Sequence, residues 1–397
     1  MPRRADVLID QAPVANWQAL ADHNIVQANN GSYYLFYIDS LSDVVYRKSS
    51  DGITWGDSVL AATAGTTVQL AVWYDRWTDP SGTLGDRIHF AFADSGNDDT
   101  HYRTLNTADD SLSTQTVIFA GASTASNGHL TIARAVGGNV YCKTNIDGTA
   151  EGGFFRLPNA NVPDGAWDAA RTIDEALASA DYMILLPDYN AADTQDMLAI
   201  FHDASGNDLT RKLYDDSANT WGETSIAAGA IVEPGSTVGH PHVAVAPDPT
   251  NTRHFVAAWS QVDLANADLR CWIVQAGSIV EVTNIVLNSV DDQGLVRLAI
   301  ATDTGYLHAF YCGASDGSET WNTALRIYTK VSTDAGTTWG PEVLISSAAV
   351  STIRWLTTVP RFTKQPLVGW IRDGAQVDDL LVNVQIAQPV ANYILGV

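Results

Sequence analysis

The feature that most constrains this chain is a turn, Ser332-Thr333-Asp334-Ala335-Gly336-Thr337-Thr338-Trp339-Gly340, set between two strand-like runs at 324–331 and 341–345. Ser332 and Asp334 carry side-chain oxygens able to fold back onto the turn's own N–H groups. Gly336 supplies a residue free to take positive φ, and Trp339 an apolar peg beneath the loop. Such a turn closes a hairpin without outside help, and a chain that repeats it is a chain built of repeated antiparallel units.

The turn does repeat. Ser49-Ser50-Asp51-Gly52-Ile53-Thr54-Trp55-Gly56 is one residue shorter and again flanked by strands. Asp216-Ser217-Ala218-Asn219-Thr220-Trp221-Gly222 keeps the spacing from Asp216 to Trp221 but lacks the serine and the central glycine, and Pro163-Asp164-Gly165-Ala166-Trp167 is weaker still. The pattern Ser-x-Asp-x-Gly-x-Thr-Trp resembles the Asp box (BNR repeat) of the sialidase-like β-propellers. In that superfamily the box joins the third and fourth strands of a blade and is structural, so the resemblance implies a fold more than a chemistry.

Strand periodicity supplies the rest of the repeat. Seven pairs of an apolar inner strand and an aromatic-rich second strand follow one another: 23–28 with 33–39, 68–75 with 87–94, 129–134 with 139–144, 182–188 with 197–203, 242–248 with 254–261, 296–303 with 306–313, and 356–362 with 366–373. The expectation is therefore an all-β fold, a single propeller domain over residues 1–397 with seven four-stranded blades. Six blades is the alternative, with the third unit as an irregular insertion. The last unit is one strand short, and 5–10 form an orphan strand at the other end of the chain. Pairing the two closes the ring and removes an exposed edge. Helix is nearly absent; the best candidate spans 167–180.

The formal charge of −23 comes from 45 acidic against 22 basic residues, only five of them Lys, which disfavours nucleic acid as a partner. Cys142, Cys271 and Cys312 lie apart within apolar runs and read as buried thiols. Met1-Pro2-Arg3-Arg4-Ala5-Asp6 leads into no apolar signal region, and no stretch is long and apolar enough to enter a membrane.

The resemblance places the boxes on one face of the ring and function on the other, where the inner-strand entries and the second-to-third strand loops open. Ligand-binding candidates there are His23, His129, His240, His242, Arg297, Asp316 and Trp321. His240 and His242 alternate on one strand and face the same side. Trp321, in a polar loop with Asp316, could stack on a sugar ring. A second aromatic cluster, Trp73-Tyr74-Asp75-Arg76-Trp77, falls on the box side, either as a platform or as a wedge between blades.

A retaining sialidase, by the same resemblance, needs three clamping arginines, the first in an Arg-Ile-Pro motif opening the first inner strand. Here that stretch is Leu20-Ala21-Asp22-His23-Asn24-Ile25-Val26, with no arginine. Arg297 and Arg354 can fill two places, with Arg361 to spare, so sialidase activity is not expected. The reading favours a non-catalytic module that recognises a surface glycan or neighbouring subunits, in a virion protein of a tailed virus or another extracellular setting. The alternative is a glycan-cleaving hydrolase or polysaccharide lyase, for which His23, His129, His240 and Arg297 are the side-chain types required. No cofactor is implied. Acidic loops could hold Ca²⁺, although none matches a full calcium-loop pattern.

Overall fold

A computed structural model describes residues 6–11, 23–63, 67–97, 99–121, 130–145, 152–171, 182–203, 206–228, 231, 243–261, 267–287, 293–314, 325–346, 349, 353–372 and 379–384. These form seven sheets arranged as a seven-bladed β-propeller, so the six-bladed alternative falls away.

Blade 1 comprises Ile25–Gln27, Tyr33–Ile38, Val44–Ser49 and Val59–Ala62, from the axis outward; blade 2 comprises Thr67–Tyr74, Arg87–Asp94, Asp99–Asn106 and Thr116–Phe119. In blade 3, Thr131–Arg134, Val140–Asn145 and Gly152–Leu157 form a three-stranded sheet, and a bridge from Phe154 to Arg171 marks the place of the fourth strand. Blades 4 and 5 are regular, running from Tyr182–Pro187 to Thr220–Ala227 and from Val243–Asp248 to Ser278–Glu281. Blade 6 comprises Gln293–Ala301, Leu307–Ala314, Leu325–Ser332 and Val343–Leu344.

Blade 7 closes the ring as its sequence requires. Its inner strands are Ile353–Thr358, Leu367–Arg372 and Asp379–Val384, and Val7–Gln11 pairs antiparallel with the last of these as the outer strand. The expected inner strand at 356–362 is corrected in one respect. The chain leaves blade 7 after Thr358, and Arg361–Phe362 pairs parallel with Ile300 and Ala301 on the inner strand of blade 6. This excursion carries Arg361 to the axis.

Burial explains the strand composition. All six residues of Tyr33–Ile38 are buried, because a middle strand is covered on both faces by neighbouring blades, whereas the outer Thr220–Ala227 is mostly exposed. Trp73, Trp77, Trp259, Trp272, Trp355 and Trp370 are all fully buried. Cys142, Cys271 and Cys312 are buried free thiols, as expected. No described helix is long and apolar enough to cross a membrane.

The repeated turns hold themselves together as their residue types suggest. In 49–56, Ser49 Oγ accepts from Gly52 N (2.8 Å), and Asp51 Oδ1 accepts from Ile53 N and Thr54 N (both 2.8 Å). In 332–340, Ser332 Oγ accepts from Gly336 N (2.7 Å) and Asp334 Oδ1 from Thr338 N (2.8 Å), while Gly336 takes φ +87°. Backbone N–H donors hold the Asp51 and Asp334 carboxyls below the usual range.

The third copy is shifted by one residue. Asp215, not Asp216, closes the turn by accepting from Ala218 N (2.8 Å) and Ser217 Oγ (2.7 Å). Asp216 points inward and accepts from Tyr141 Oη (2.8 Å), Arg156 Nη1 (2.7 Å) and Arg171 Nη1 (2.7 Å), tying blade 4 to blade 3. Without the serine and glycine that fix the other turns, the register follows the half-buried arginines. The helix expected within 167–180 is not formed in its described part, where Arg171 bridges Phe154; residues 172–180 lie outside the described residues.

Candidate functional site: an axial recess on the turn face

Five candidate residues, His129, His240, His242, Asp316 and Trp321, lie outside the described residues. The other two belong to the interior. His23 is buried at the entry of the blade 1 inner strand, its ring edge-on to Trp77 at 5.4 Å. Arg297, 1% exposed, donates from Nε to Leu356 O (2.8 Å) and from Nη1 to Val296 O (2.7 Å). Its guanidinium thus staples the inner strands of blades 6 and 7, which corrects its assignment as a surface ligand group. Among the described residues no group of three or more His, Cys, Asp and Glu side chains is placed to hold a metal ion.

The aromatic cluster from Trp73 to Trp77 lies at the centre of the molecule, in contact with several blades. After the blade 2 inner strand, Asp75–Thr78 forms one helical turn, with Asp75, Trp77 and Thr78 buried. Asp75 Oδ1 accepts from Arg134 Nη1 (2.6 Å) and His89 Nε2 (2.8 Å), and Oδ2 from Arg87 N (3.0 Å). Burial alone pushes the Asp75 carboxyl up, but His89 and Arg134 outweigh it, so the group sits below its ordinary value. For His89 burial wins over the adjacent carboxylate, and its pKa falls. A neutral His89 that donates to Asp75 accepts at Nδ1 from Tyr102 Oη, 2.7 Å away.

Tyrosine, histidine and carboxylate in sequence resemble an acid-base relay. Yet the side chains of His89 and Asp75 are wholly enclosed, and Tyr102 is 0% exposed. No substrate atom can reach within hydrogen-bond distance, which a catalytic base must do. The relay is structural: it locks Asp75 and with it the helical turn that carries Trp77.

The turn is then tied to the other blades. Trp73 Nε1 donates to Thr78 Oγ1 (2.9 Å), and Thr78 Oγ1 to Arg134 O in blade 3 (2.7 Å). Tyr189 Oη, beyond the blade 4 inner strand, donates to Trp77 O (2.6 Å), and Arg361 Nη1, from the blade 7 excursion, to Arg76 O (2.7 Å). Trp77 meets Trp73 and Tyr74 edge-on at 5.4 and 6.3 Å. The plug replaces an open axial channel with packed aromatic surface.

Above the plug, on the face where first-to-second and third-to-fourth strand connections open, lies a recess of about 170 Å³ lined by Gln27, Asn29, Arg76, Trp77, Thr302, Arg361 and Thr363, among others. Arg76 is held at its rim by Nε to Asp86 Oδ1 (2.7 Å) and Nη1 to Pro80 O (3.2 Å). Gly82, at φ +84°, leaves room for it; a Cβ there would stand 2.1 Å from Arg76 Nη1. Gln27 Oε1 accepts from Thr363 N at 2.6 Å, joining the blade 1 and blade 7 walls. Among the described residues the lining contains no carboxylate and no histidine. It offers hydrogen-bonding groups and positive charge around an apolar floor.

No family model matches the chain, and no curated protein matches it. Solved structures match along nearly its whole length. The BP39L lectin from Burkholderia pseudomallei superposes with a TM-score of 0.60 at 14% identity, covering 93% of this chain and 96% of that one. A polysaccharide lyase of family PL25, an ulvan lyase, gives 0.56 at 10% identity, with 95% of each chain covered. The hydrazine synthase of Kuenenia stuttgartiensis gives 0.52 at 10%, covering 93% and 97%. At such identities the likeness concerns the fold, and one propeller scaffold carries quite different chemistries.

Proposed function

We propose that this protein is a non-catalytic glycan-recognition module whose axial recess on the turn face holds a single sugar unit. The observation that carries the reading is the lining itself: amide, guanidinium and hydroxyl groups converge on a concave site whose described lining residues include no carboxylate and no histidine able to take or give a proton. Its volume equals about five or six waters, the scale of one sugar ring. That similar propellers include a lectin and a polysaccharide lyase supports a glycan as the ligand class.

A glycan array run beside a reducing-end release assay tests this, using wild type, Asn29→Trp and a His240→Ala/His242→Ala double variant. Asn29 is exposed at the recess, so a tryptophan there fills the site without entering the core. Binding without release, lost in Asn29→Trp and kept in the histidine variant, is the expected result. Release that disappears in the histidine variant would make the protein an enzyme.

A further inference from the structure

A second concavity opens on the turn face where blade 7 meets blade 1, a crevice of about 390 Å³ lined by Tyr33, Ser50, Asp51, Ile53, Lys364 and Gln365. Its blade 7 wall is a short segment pinned to blade 1 at three successive residues. Thr363 N donates to Gln27 Oε1 (2.6 Å), Lys364 Nζ to Gly31 O (2.9 Å), and Tyr33 Oη to Gln365 O (3.0 Å). A Cβ at Gly31 would stand 2.7 Å from Lys364 Nζ, so the glycine leaves the ammonium its seat. The facing wall is the self-bonded turn at 49–56. Two fixed walls spare a ligand the cost of ordering them. The polar groups between them are accessible and only partly engaged. Ser50, Asp51, Ile53 and Lys364 are exposed, and Gln365 is half-buried. Lys364 Nζ makes one further contact, with Ser50 O at 3.4 Å, while the Gln365 side-chain amide and the Ser50 hydroxyl have no hydrogen-bond partner among the described residues. Asp51 accepts the turn's N–H groups at Oδ1, which leaves acceptor capacity at Oδ2.

From these accessible donors and acceptors on two fixed walls, we infer that the crevice is a second sugar-binding site, taking an uncharged unit of the same glycan chain whose neighbouring unit occupies the recess. The inference rests on the glycan-recognition reading and lengthens its ligand to a short oligosaccharide lying along the seam of blades 7 and 1. The lining sets the class. A sugar hydroxyl both donates and accepts; Asp51 receives its proton, and Lys364 and Gln365 supply N–H groups to its oxygen. Ile53, 39% exposed, presents aliphatic surface to the C–H face of a ring. Lys364 and Asp51 carry opposite charges within one lining, so the site has no net charge with which to prefer an ionic ligand. One chain reaches both sites, because Thr363 lines the recess and Gln365 the crevice. At about 3.8 Å between consecutive Cα atoms, those two residues lie at most about 7.6 Å apart.

The test follows affinity against chain length by titration calorimetry, with the β-1,4-linked gluco-, manno- and galacto-oligosaccharides from monomer to tetramer as probes. In wild type the tetramer should bind about tenfold more tightly than its monomer, since the second contact is made within one complex. Ser50→Trp fills the crevice from an exposed position whose hydroxyl has no described partner, and should bring that ratio close to one. Lys364→Met keeps the aliphatic stem and removes the donor; it should lower the ratio about threefold, and it answers the question if Ser50→Trp fails to fold. A ratio near one in wild type, or one unchanged in both variants, overturns the second site and leaves recognition at the recess standing. Tetramer binding that survives Asn29→Trp but disappears in Ser50→Trp overturns the recess reading, and the shared chain with it. Failure of wild type to bind any member of the three series overturns both.

Discussion

Asp75 at the axis and Asp110 and Asp216 at the rim carry out the same operation under different solvent. At each rim position a tyrosine on a second strand and a cation directly opposite it on the third reach into the next blade's turn. Tyr34 pairs in register with Lys48, and both meet Asp110, at 2.6 Å from Tyr34 Oη and 2.7 Å from Lys48 Nζ. Tyr141 pairs with Arg156, and both meet Asp216. At the axis Asp75 gathers Arg134 directly and Tyr102 through His89. Side-chain exposure is 0% for Asp75, 9% for Asp216 and 37% for Asp110. If depth governs what such a contact contributes, the three acids should rank in that order.

Asp75→Ala is expected to have the largest effect, about 3–5 kcal/mol, because it leaves Arg134 buried and unpaired. Chemical denaturation at constant m-value measures it, and the loss should come with exposure of Trp77 to fluorescence quenchers. A cost below about 1 kcal/mol would mean that the axial plug does not depend on its anchor.

Acid should then attack the same region from two sides. His254 stacks on Tyr189 at 4.7 Å, the residue that holds Trp77 O, and His308 meets Phe362, in the recess wall, at 5.2 Å. Burial lowers both from 6.5 to about 4. Between those values the unfolded chain binds more protons than the folded one, so stability present at neutral pH is lost as the pH falls from about 6.5 toward 4. The shift corresponds to roughly 3 kcal/mol for each histidine. Unfolding midpoints followed from about pH 7 to about pH 4.5 should fall steeply in wild type and less so in His254→Gln/His308→Gln; equal slopes would place the acid sensitivity elsewhere.

Much of this architecture is legible in the sequence. Strand alternation, the Ser332 and Ser49 turns and the orphan strand at 5–10 point to a closed ring, because each is a local or terminal property of the chain. The recess is not legible in the same way. Gln27, Arg76, Thr302 and Arg361 meet only because seven inner strands converge on one axis, and Arg361 arrives through a parallel pairing with blade 6 that no periodicity announces. The cluster from Trp73 to Trp77 does carry a signal, two tryptophans and an arginine in a connection longer than a tight turn. Asp216 is easily mistaken for the turn's own acid because two adjacent aspartates fit one turn pattern, and only the distant arginines decide which of them faces inward. His23 and Arg297 show the converse error: polar residues at strand entries are as readily interblade braces as ligand groups.

Asp216→Ala should come next, at about 1.5–3 kcal/mol, since it removes charge-assisted bonds from Arg156, Arg171 and Tyr141 at a half-screened position. Arg156 retains Asp168 at 2.6 Å, so one of the two cations keeps a partner and the cost stays below that at the axis. Denaturation under the conditions used for Asp75→Ala gives the comparison directly.

Asp110→Ala is the smallest and the most discriminating. Geometrically the Asp110 hub is as good as that of Asp216: its carboxylate takes both a tyrosine hydroxyl and a lysine at normal distances, and Lys48 also lies over the Tyr34 ring at 5.2 Å. Lys48 and Asp110 are 38% and 37% exposed, however, so water and salt compete for both charges. The expected cost is at most about 1 kcal/mol and should shrink further as ionic strength rises. Because the bond lengths match while Asp110 is more exposed and holds one cation rather than two, a cost equal to that of Asp216→Ala would show that burial does not set the strength of these interblade ties, and the ranking from axis to rim would lose its physical basis.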